Sequence, residues 1–423
     1  MSDRIKRNTK SKYESTSSLE SVLILQGGGS LGAFGCGVFK SLANNGIKLD
    51  IIAGTSIGGV NAAIIAGSKD EKYPEKILEQ FWLELAESSK ALDSFPSSLH
   101  SVPFRSYIHW LDAIERSHFS ATQNRLLSLQ SPKNTIDDEN LRIKSILSSY
   151  GSAVYGNDKF FKPRWRQEYA FSDPDYSMPA KWTYLYDHSP LVKTLEKYID
   201  YDKLQPNGQP NIRLIMTAVN VLTAQPLTFD SYKQQITPKH ILATCGYPVY
   251  AFPWVEVEKG IYAWDGGLLS NTPLAEVIDA SPVKDKQVFL VENYPKKIEK
   301  LPENLPEVYH RARDIMFSDK TELNISLSKV ISMYLRYIDE MYKFIEESTD
   351  KDKVDKRQLE KIRLKYKKYK KERGAEIKKI WYITREEAFP FIYENADFSL
   401  ETIKSSIKDG ELKTNQILEA QSD

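Results

Sequence analysis

The sequence predicts a three-layer α/β/α sandwich around a mainly parallel sheet, with a long insertion and a C-terminal helical extension. Three observations lead there: two strand-turn-helix units follow one another between Ser21 and Ala66, strand-like apolar runs resume at Arg213, and the stretch from about 69 to 181 carries neither pattern.

Met1 to Glu20 is rich in Lys, Arg and Ser, without the apolar core of a cleaved secretory signal, and reads as a disordered polar tail. Ser21 to Leu25 is a short apolar run that meets Gly27, Gly28 and Gly29, as expected of a buried parallel strand entering a tight turn. Leu31 to Leu42 supplies the helix that follows, and Asn44, Asn45 and Gly46 stop it. Leu49 to Ala53 is the second strand, the turn runs from Gly54 to Gly59, and Val60 to Ala66 forms a small apolar helix.

From Lys69 to about Lys181, amphipathic helices such as Ile77 to Glu87 alternate with Ser/Pro/Asn-rich joints, which reads as an insertion or mobile cap over the active site. The strand signal returns at Arg213 to Val219, passes a hairpin-like segment to Tyr232 and a helix near Lys239 to Thr244, and continues in a strand ending at Trp264 and another at Val288 to Val291. Beyond Glu307, Ile325, Val330, Tyr334 and Ile338 recur at helical spacing. Lys351 to Lys379 reads as an exposed charged helix or hairpin, Ile380 to Thr384 as an edge strand, and Ser399 as the cap of a helix from Leu400 to Ile407. The expected division is a tail at 1–20, a catalytic domain at 21–300 and a helical extension at 301–423.

The 58 basic and 57 acidic side chains leave a formal charge of +1, so no global field argues for nucleic acid. Cys36 and Cys245 are the only cysteines and have no His or Cys at ligand spacing, which supports neither a disulfide scaffold nor a zinc site. A reduced compartment is expected, with pairing of the two thiols the alternative. No window reaches the roughly 18 uninterrupted apolar residues of a spanning helix. The expectation is a cytoplasmic chain whose membrane contact, if any, is peripheral.

Three segments carry chemistry. Gly54-Thr55-Ser56-Ile57-Gly58 is G-x-S-x-G between a strand and a helix, where a sharp turn lifts the central side chain and flanking glycines avoid backbone collision. Ser56 then lies at a helix N-terminus, which favours developing negative charge. Gly27, Gly29 and Gly32 also satisfy the dinucleotide-binding spacing, but that fold needs an acid at the end of the second strand, and Asp50 stands at its start. Gly27, Gly28 and Gly29 are therefore expected to form an oxyanion hole of backbone N–H groups. Asp265, at the end of a strand and followed by Gly266 and Gly267, is the candidate base for Ser56, a simple turn-forming role being the plainer alternative.

Together these residues resemble the patatin-like phospholipase family: a G-G-G-x-x-G loop, a G-x-S-x-G elbow and a D-G-[GA] acid, in family order over roughly Ser21 to Pro295. Leu242 to Pro248, with Phe252-Pro253, is similar to the family's stretch ahead of the acid, although Trp254 stands where a second proline is frequent. The resemblance implies a Ser56–Asp265 dyad without metal or cofactor, hydrolysing esters of phospholipids or lysophospholipids through an acyl-serine. An acyltransferase, a polyester or neutral-lipid hydrolase and a non-enzymatic membrane scaffold are the alternatives, and the oligomeric state is open. An unperturbed aspartate is a weak base, so burial has to raise its pKa. His188 and His240 are the candidates for a rival triad.

Two surfaces are singled out for lipid. Phe160 to Phe171 interleaves aromatic and basic groups, either as an interfacial patch or as rings packing the insertion onto the body. Lys351 to Lys379 is either a surface for anionic lipid or a solvated face, the interspersed acids favouring the latter.

Overall fold

The computed structural model describes residues 19–88, 145, 148–206, 212–298, 300–302, 305–318, 321–348, 356–386 and 393–420. Its main sheet contains β1 (Glu20–Leu25), β2 (Ile51–Gly54), β3 (Arg213–Asn220), β4 (Pro226–Asp230), β5 (Val255–Glu258), β6 (Ile261–Asp265), β7 (Lys286–Glu292) and β8 (Ile377–Thr384). Strands β8-β7-β1-β2-β3 lie parallel in that order, with Val22 opposite both Ile51 and Val288. Strands β4, β5 and β6 are antiparallel additions beyond β2.

The helices that flank the sheet are α1 (Gly32–Asn44), α2 (Ile57–Ala66), α3 (Pro74–Glu87), α4 (Pro190–Leu195), α5 (Pro238–Cys245), α6 (Leu274–Ala280), α7 (Leu305–Phe317), α8 (Thr321–Ser348), α9 (Lys356–Arg373) and α10 (Leu400–Glu419). All six residues of β1 are buried, and they alternate between two cores as strand geometry demands. Leu23 and Leu25 enter the core built with α1, α2, α3 and α10. Val22 and Ile24 enter the opposite one with Leu274, Val277 and Ile325. The chain is therefore α/β, a mostly parallel sheet with helices on both faces, as its sequence pattern predicts.

Helix α3 packs into the main core. Pro74 opens it at a position where no N–H is needed, and Leu78, Phe81, Trp82 and Leu85 are buried at helical spacing against α1 and α2. Trp82 Nε1 donates to Asn61 Oδ1 at 3.1 Å, and Asn61 Nδ2 donates to the carbonyl of Gly32 at 2.8 Å, tying α3 to both helices. α3 belongs to the core, while residues 89–144, about half of the expected insertion, lie outside the described residues.

The aromatic and basic segment resolves mainly toward packing. Phe160 and Phe161 are buried in the main core, and the buried Arg164 pairs with Asp173 while lying over Trp182 and Tyr184. Only Trp165 and Phe171 of its large rings reach solvent appreciably.

The C-terminal extension is not purely helical. β8 completes the sheet edge, where Trp381 stacks on Phe289 with ring centroids 4.3 Å apart. α10, capped by Ser399, crosses α1 at backbone contact: a Cβ on Gly37 would overlap the carbonyl oxygen of Ile407, and one on Gly410 that of Phe34. α9 is the exposed charged helix the sequence predicts between 351 and 379, and Ile377 to Lys379 already belong to β8.

Candidate active site

β2 ends at Gly54, and the chain turns through Thr55 and Ser56 directly into α2. Ser56 has φ 57° and ψ −131°, a conformation costing roughly 1–3 kcal/mol for a residue with a side chain. Its surroundings hold it there. The Ser56 N–H donates to Thr244 Oγ1 at 3.1 Å, Thr244 Oγ1 donates to the Thr217 carbonyl at 2.7 Å, and the hydroxyls of Thr55 and Thr217 are 2.7 Å apart. A Cβ on Gly54 would collide with the Gly58 carbonyl, and one on Gly58 with the carbonyl of Leu25, so both flanks of the elbow require glycine by close approach.

The loop after β1 runs alongside. A Cβ on Gly27 would stand 2.8 Å from Ser56 Cβ, and Gly29 has φ 59°, a left-handed turn that glycine adopts without strain. Buried amides fix the loop from below: Asn293 Nδ2 donates to the carbonyls of Gln26 and Gly27, each at 3.1 Å, and Gln26 Oε1 accepts the Asn293 N–H at 2.9 Å. The Gly27 N–H is already taken by Asn271 Oδ1 at 3.0 Å. Of the three glycines expected as oxyanion donors, Gly27 is thus committed elsewhere. Among the described residues no acceptor takes the N–H of Gly28 or Gly29.

Asp265 arrives from the antiparallel part of the sheet. β3 pairs with β2 over Arg213 to Met216 and with β4 over Ile215 to Val219, so these two neighbours occupy opposite edges. β6 pairs with Ala218 to Asn220, where β4 already holds one edge, and must therefore lie on the β2 edge, beyond the point where β2 ends. That placement sets Asp265, opposite Ala218, next to the elbow.

The Asp265 carboxyl is 1% exposed. Its Oδ1 accepts the Gly267 N–H at 2.8 Å, and its Oδ2 has no hydrogen bond of ordinary geometry. Burial pushes its pKa up to about 7, opposed by the Gly267 N–H and by the facing Ser56 side chain. Ser56 and Asp265 are adjacent but not locked together. Gly266 has no room for a Cβ beside Thr217, whereas one on Gly267 would be tight only against the Asp265 carboxyl, at 3.2 Å, with Asn271 and Phe317 at ordinary contact.

The two candidate histidines serve the scaffold. His188 is buried with Nε2 2.9 Å from the Leu242 carbonyl, and burial lowers its pKa. His240 Nδ1 accepts the Thr237 N–H at 3.0 Å, capping α5, and its ring lies against Phe229. Neither is among the groups acting on the Asp265 carboxyl. Cys36 and Cys245 are separate buried thiols.

Sequence reading passed over what closes the site. Asn271 holds the Gly27 N–H and donates to the Phe317 carbonyl at 3.3 Å, so one amide joins the glycine loop, the acid loop and the end of α7. Its position six residues after Asp265, ahead of Thr272-Pro273, was the available signal. Phe317 stacks on Tyr294 at 5.0 Å and lies 5.5 Å from Tyr247. The turn Glu394–Ala396 sits directly on the glycine loop: Ser30 Oγ donates to the Glu394 carbonyl at 2.9 Å, and a Cβ on Gly29 would overlap the Asn395 carbonyl. Arg313 secures that turn, donating to Glu394 at 2.6 Å and to Asp314 at 2.9 Å, with His310 Nε2 2.8 Å away. His310, Asp314 and Glu394 bring ligand-type atoms together, but the Arg313 guanidinium stands among them and already supplies the positive charge.

A family model described as "Patatin-like phospholipase" matches residues 23–278, more than half of the chain. Among solved structures, VipD from Legionella pneumophila is similar over 96% of this chain and 67% of its own, at 16% identity and a TM-score of 0.37. Full-length ExoU from the type III secretion system of Pseudomonas aeruginosa, solved in complex with full-length SpcU, is similar over 70% of this chain at 16% identity and a TM-score of 0.25. The chain spans about half the length of that ExoU structure, 49% of it. No curated protein matches the chain in sequence.

Proposed function

The chain belongs to the patatin-like phospholipase family, and from that premise we propose that it hydrolyses carboxylic esters of phospholipids or lysophospholipids through an acyl intermediate on Ser56, with Asp265 as its general base. The observation that carries this reading is the buried Asp265 carboxyl, with an unbonded Oδ2 and a pKa near 7, facing a hydroxyl on a strained strand-to-helix turn. A carboxyl of ordinary pKa would be nearly useless against a serine hydroxyl. One titrating near neutrality is basic enough to accept the proton and still substantially ionised at pH 7.

The Asp265 carboxylate takes the Ser56 proton as the oxygen attacks the ester carbonyl. The tetrahedral oxyanion is held by the N–H groups of Gly28 and Gly29, with Gly27 kept in place by Asn271. Collapse expels the alcohol, lysolipid or glycerophospho group, which carries away the proton from Asp265. Water, deprotonated by the same carboxylate, then attacks the acyl ester and releases the fatty acid and Ser56.

Hydrolysis of a phospholipid and lysophospholipid panel by wild type, Ser56→Ala, Asp265→Asn, His188→Ala and His240→Ala tests the assignment. The first two variants are expected to lose turnover by at least about 10³-fold while remaining folded, and the histidine variants to keep it. Turnover surviving in Asp265→Asn, or vanishing in a folded histidine variant, removes the dyad.

A further inference from the structure

In a water-soluble helix the apolar side turns inward and the charged side outward; α7 does the opposite, and α8 leaves a broad apolar face uncovered. The inward side of α7 carries His310, Arg313 and Asp314, all buried, and its outward side exposes Leu305, Val308, Tyr309 and Met316. In α8 the side against the body buries Ile325, Ser328 and Ser332, with Leu335 half-buried. Leu327, Val330, Tyr334, Ile338, Met341 and Phe344 face out, each at least 41% exposed. At 100° per residue these six share one half of the helix, and every Asp, Glu, Lys and Arg of α8 falls on the other half. Such a band covers on the order of several hundred Å², about the largest apolar patch expected on a soluble monomer.

A second property lies beside it. α9 holds ten Lys or Arg against two Glu, and it packs on α8 through stacked Tyr342 and Tyr366 rings and a hydrogen bond from Tyr366 to Asp339. The apolar band also begins at the rim of the candidate site, because Phe317 at the end of α7 packs by Gly267 and accepts from Asn271, and α8 starts four residues later.

We propose that the outward faces of α7 and α8, flanked by α9, form the surface on which this protein docks to an anionic lipid bilayer, seating the apolar band among the acyl chains and the lysines of α9 against headgroup charge. The occupant follows from the pairing of the two features. An apolar face alone would suit a second copy of the chain or another protein, but a neighbouring helix of such one-sided charge is complementary to an acidic lipid surface and repels its own copy. Each basic side chain near such a surface contributes up to about 1 kcal/mol. The inference rests on the proposed lipid-ester substrate for its purpose, though not for its measurement.

The experiment is co-sedimentation of the full chain with vesicles of phosphatidylcholine alone and of phosphatidylcholine mixed with phosphatidylserine. The wild type is expected to partition at least about tenfold more strongly onto the mixed vesicles, and less as salt is raised. Ile338→Glu combined with Met341→Glu should lower that partition by at least about tenfold on the mixed vesicles, without changing circular dichroism or turnover of a short-chain, water-soluble ester. Lys365→Glu combined with Lys368→Glu should remove much of the preference for phosphatidylserine. A chain that stays in solution with both vesicles overturns the proposal, as does an Ile338/Met341 variant that sediments like wild type. So does a concentration-dependent dimer that this variant dissolves while vesicle partition is unaltered, which would assign the face to a second copy. Because partition is read without catalysis, loss of ester turnover with partition intact would count against the proposed reaction and not against this surface.

Discussion

Replacing Asp265 by Asn tests the physical claim on which the proposed chemistry depends, and it does so through stability as well as rate. The folded carboxyl titrates near 7 because it is buried, whereas in the unfolded chain it titrates near its ordinary value of 3.8. Below pH 4 both states hold the proton, and the residue adds no pH dependence. Between about pH 4 and 7 the folded state keeps a proton the unfolded state has lost, so stability falls as pH rises, and above 7 the penalty is complete. A displacement of about three units at 1.36 kcal/mol each gives a penalty on the order of 4 kcal/mol. Asn keeps the shape and the acceptor for the Gly267 N–H but cannot ionise. Urea or thermal unfolding of the two proteins from pH 4 to 9 should therefore diverge, the variant gaining on wild type by up to about 4 kcal/mol at alkaline pH, while the wild-type kcat/KM rises with pH through an apparent pKa near 7. Parallel stability profiles across that range would refute the burial argument and leave Asp265 an ordinary surface-like acid.

Two more outcomes follow from single contacts. Asn271→Ala leaves the buried Gly27 N–H without its acceptor, and should cost about 1–3 kcal/mol of stability and lower kcat at least about tenfold with KM little changed; unchanged kcat would mean that the loop holds its geometry without the amide. Gly410→Ala places a methyl group against the Phe34 carbonyl where α10 crosses α1, and despite the better helix propensity of Ala it should lower stability by roughly 1–3 kcal/mol in a melt; a rise would show that α10 is loosely docked.

How much of this was legible beforehand depends on whether the cause is local. The elbow was readable because a sharp strand-to-helix turn leaves no space for a Cβ at Gly54, where the collision is with its own neighbours Gly58 and Gly59, although the demand at Gly58 comes from the Leu25 carbonyl at the end of β1. The glycine loop was readable as a turn, but not the capture of its first N–H, since Asn271 comes from 244 residues away. The aromatic segment at Phe160 was ambiguous for a similar reason: ring-rich sequence looks alike whether it meets lipid, solvent or a core, and here its two phenylalanines fill the core.

The one-dimensional pattern was sufficient for the α/β class and for the first two strand-turn-helix units, because each is written in short-range backbone requirements. Tertiary structure alone decided that β6 docks past the end of β2 to set Asp265 beside Ser56, and that the last strand and helix close the sheet and core. It also decided that α7 turns its apolar side outward and that α8, though Ile325 reaches the core, leaves a broad apolar face exposed. Periodicity reports that a helix has two unlike faces; only the packing of distant segments determines which of them meets the protein.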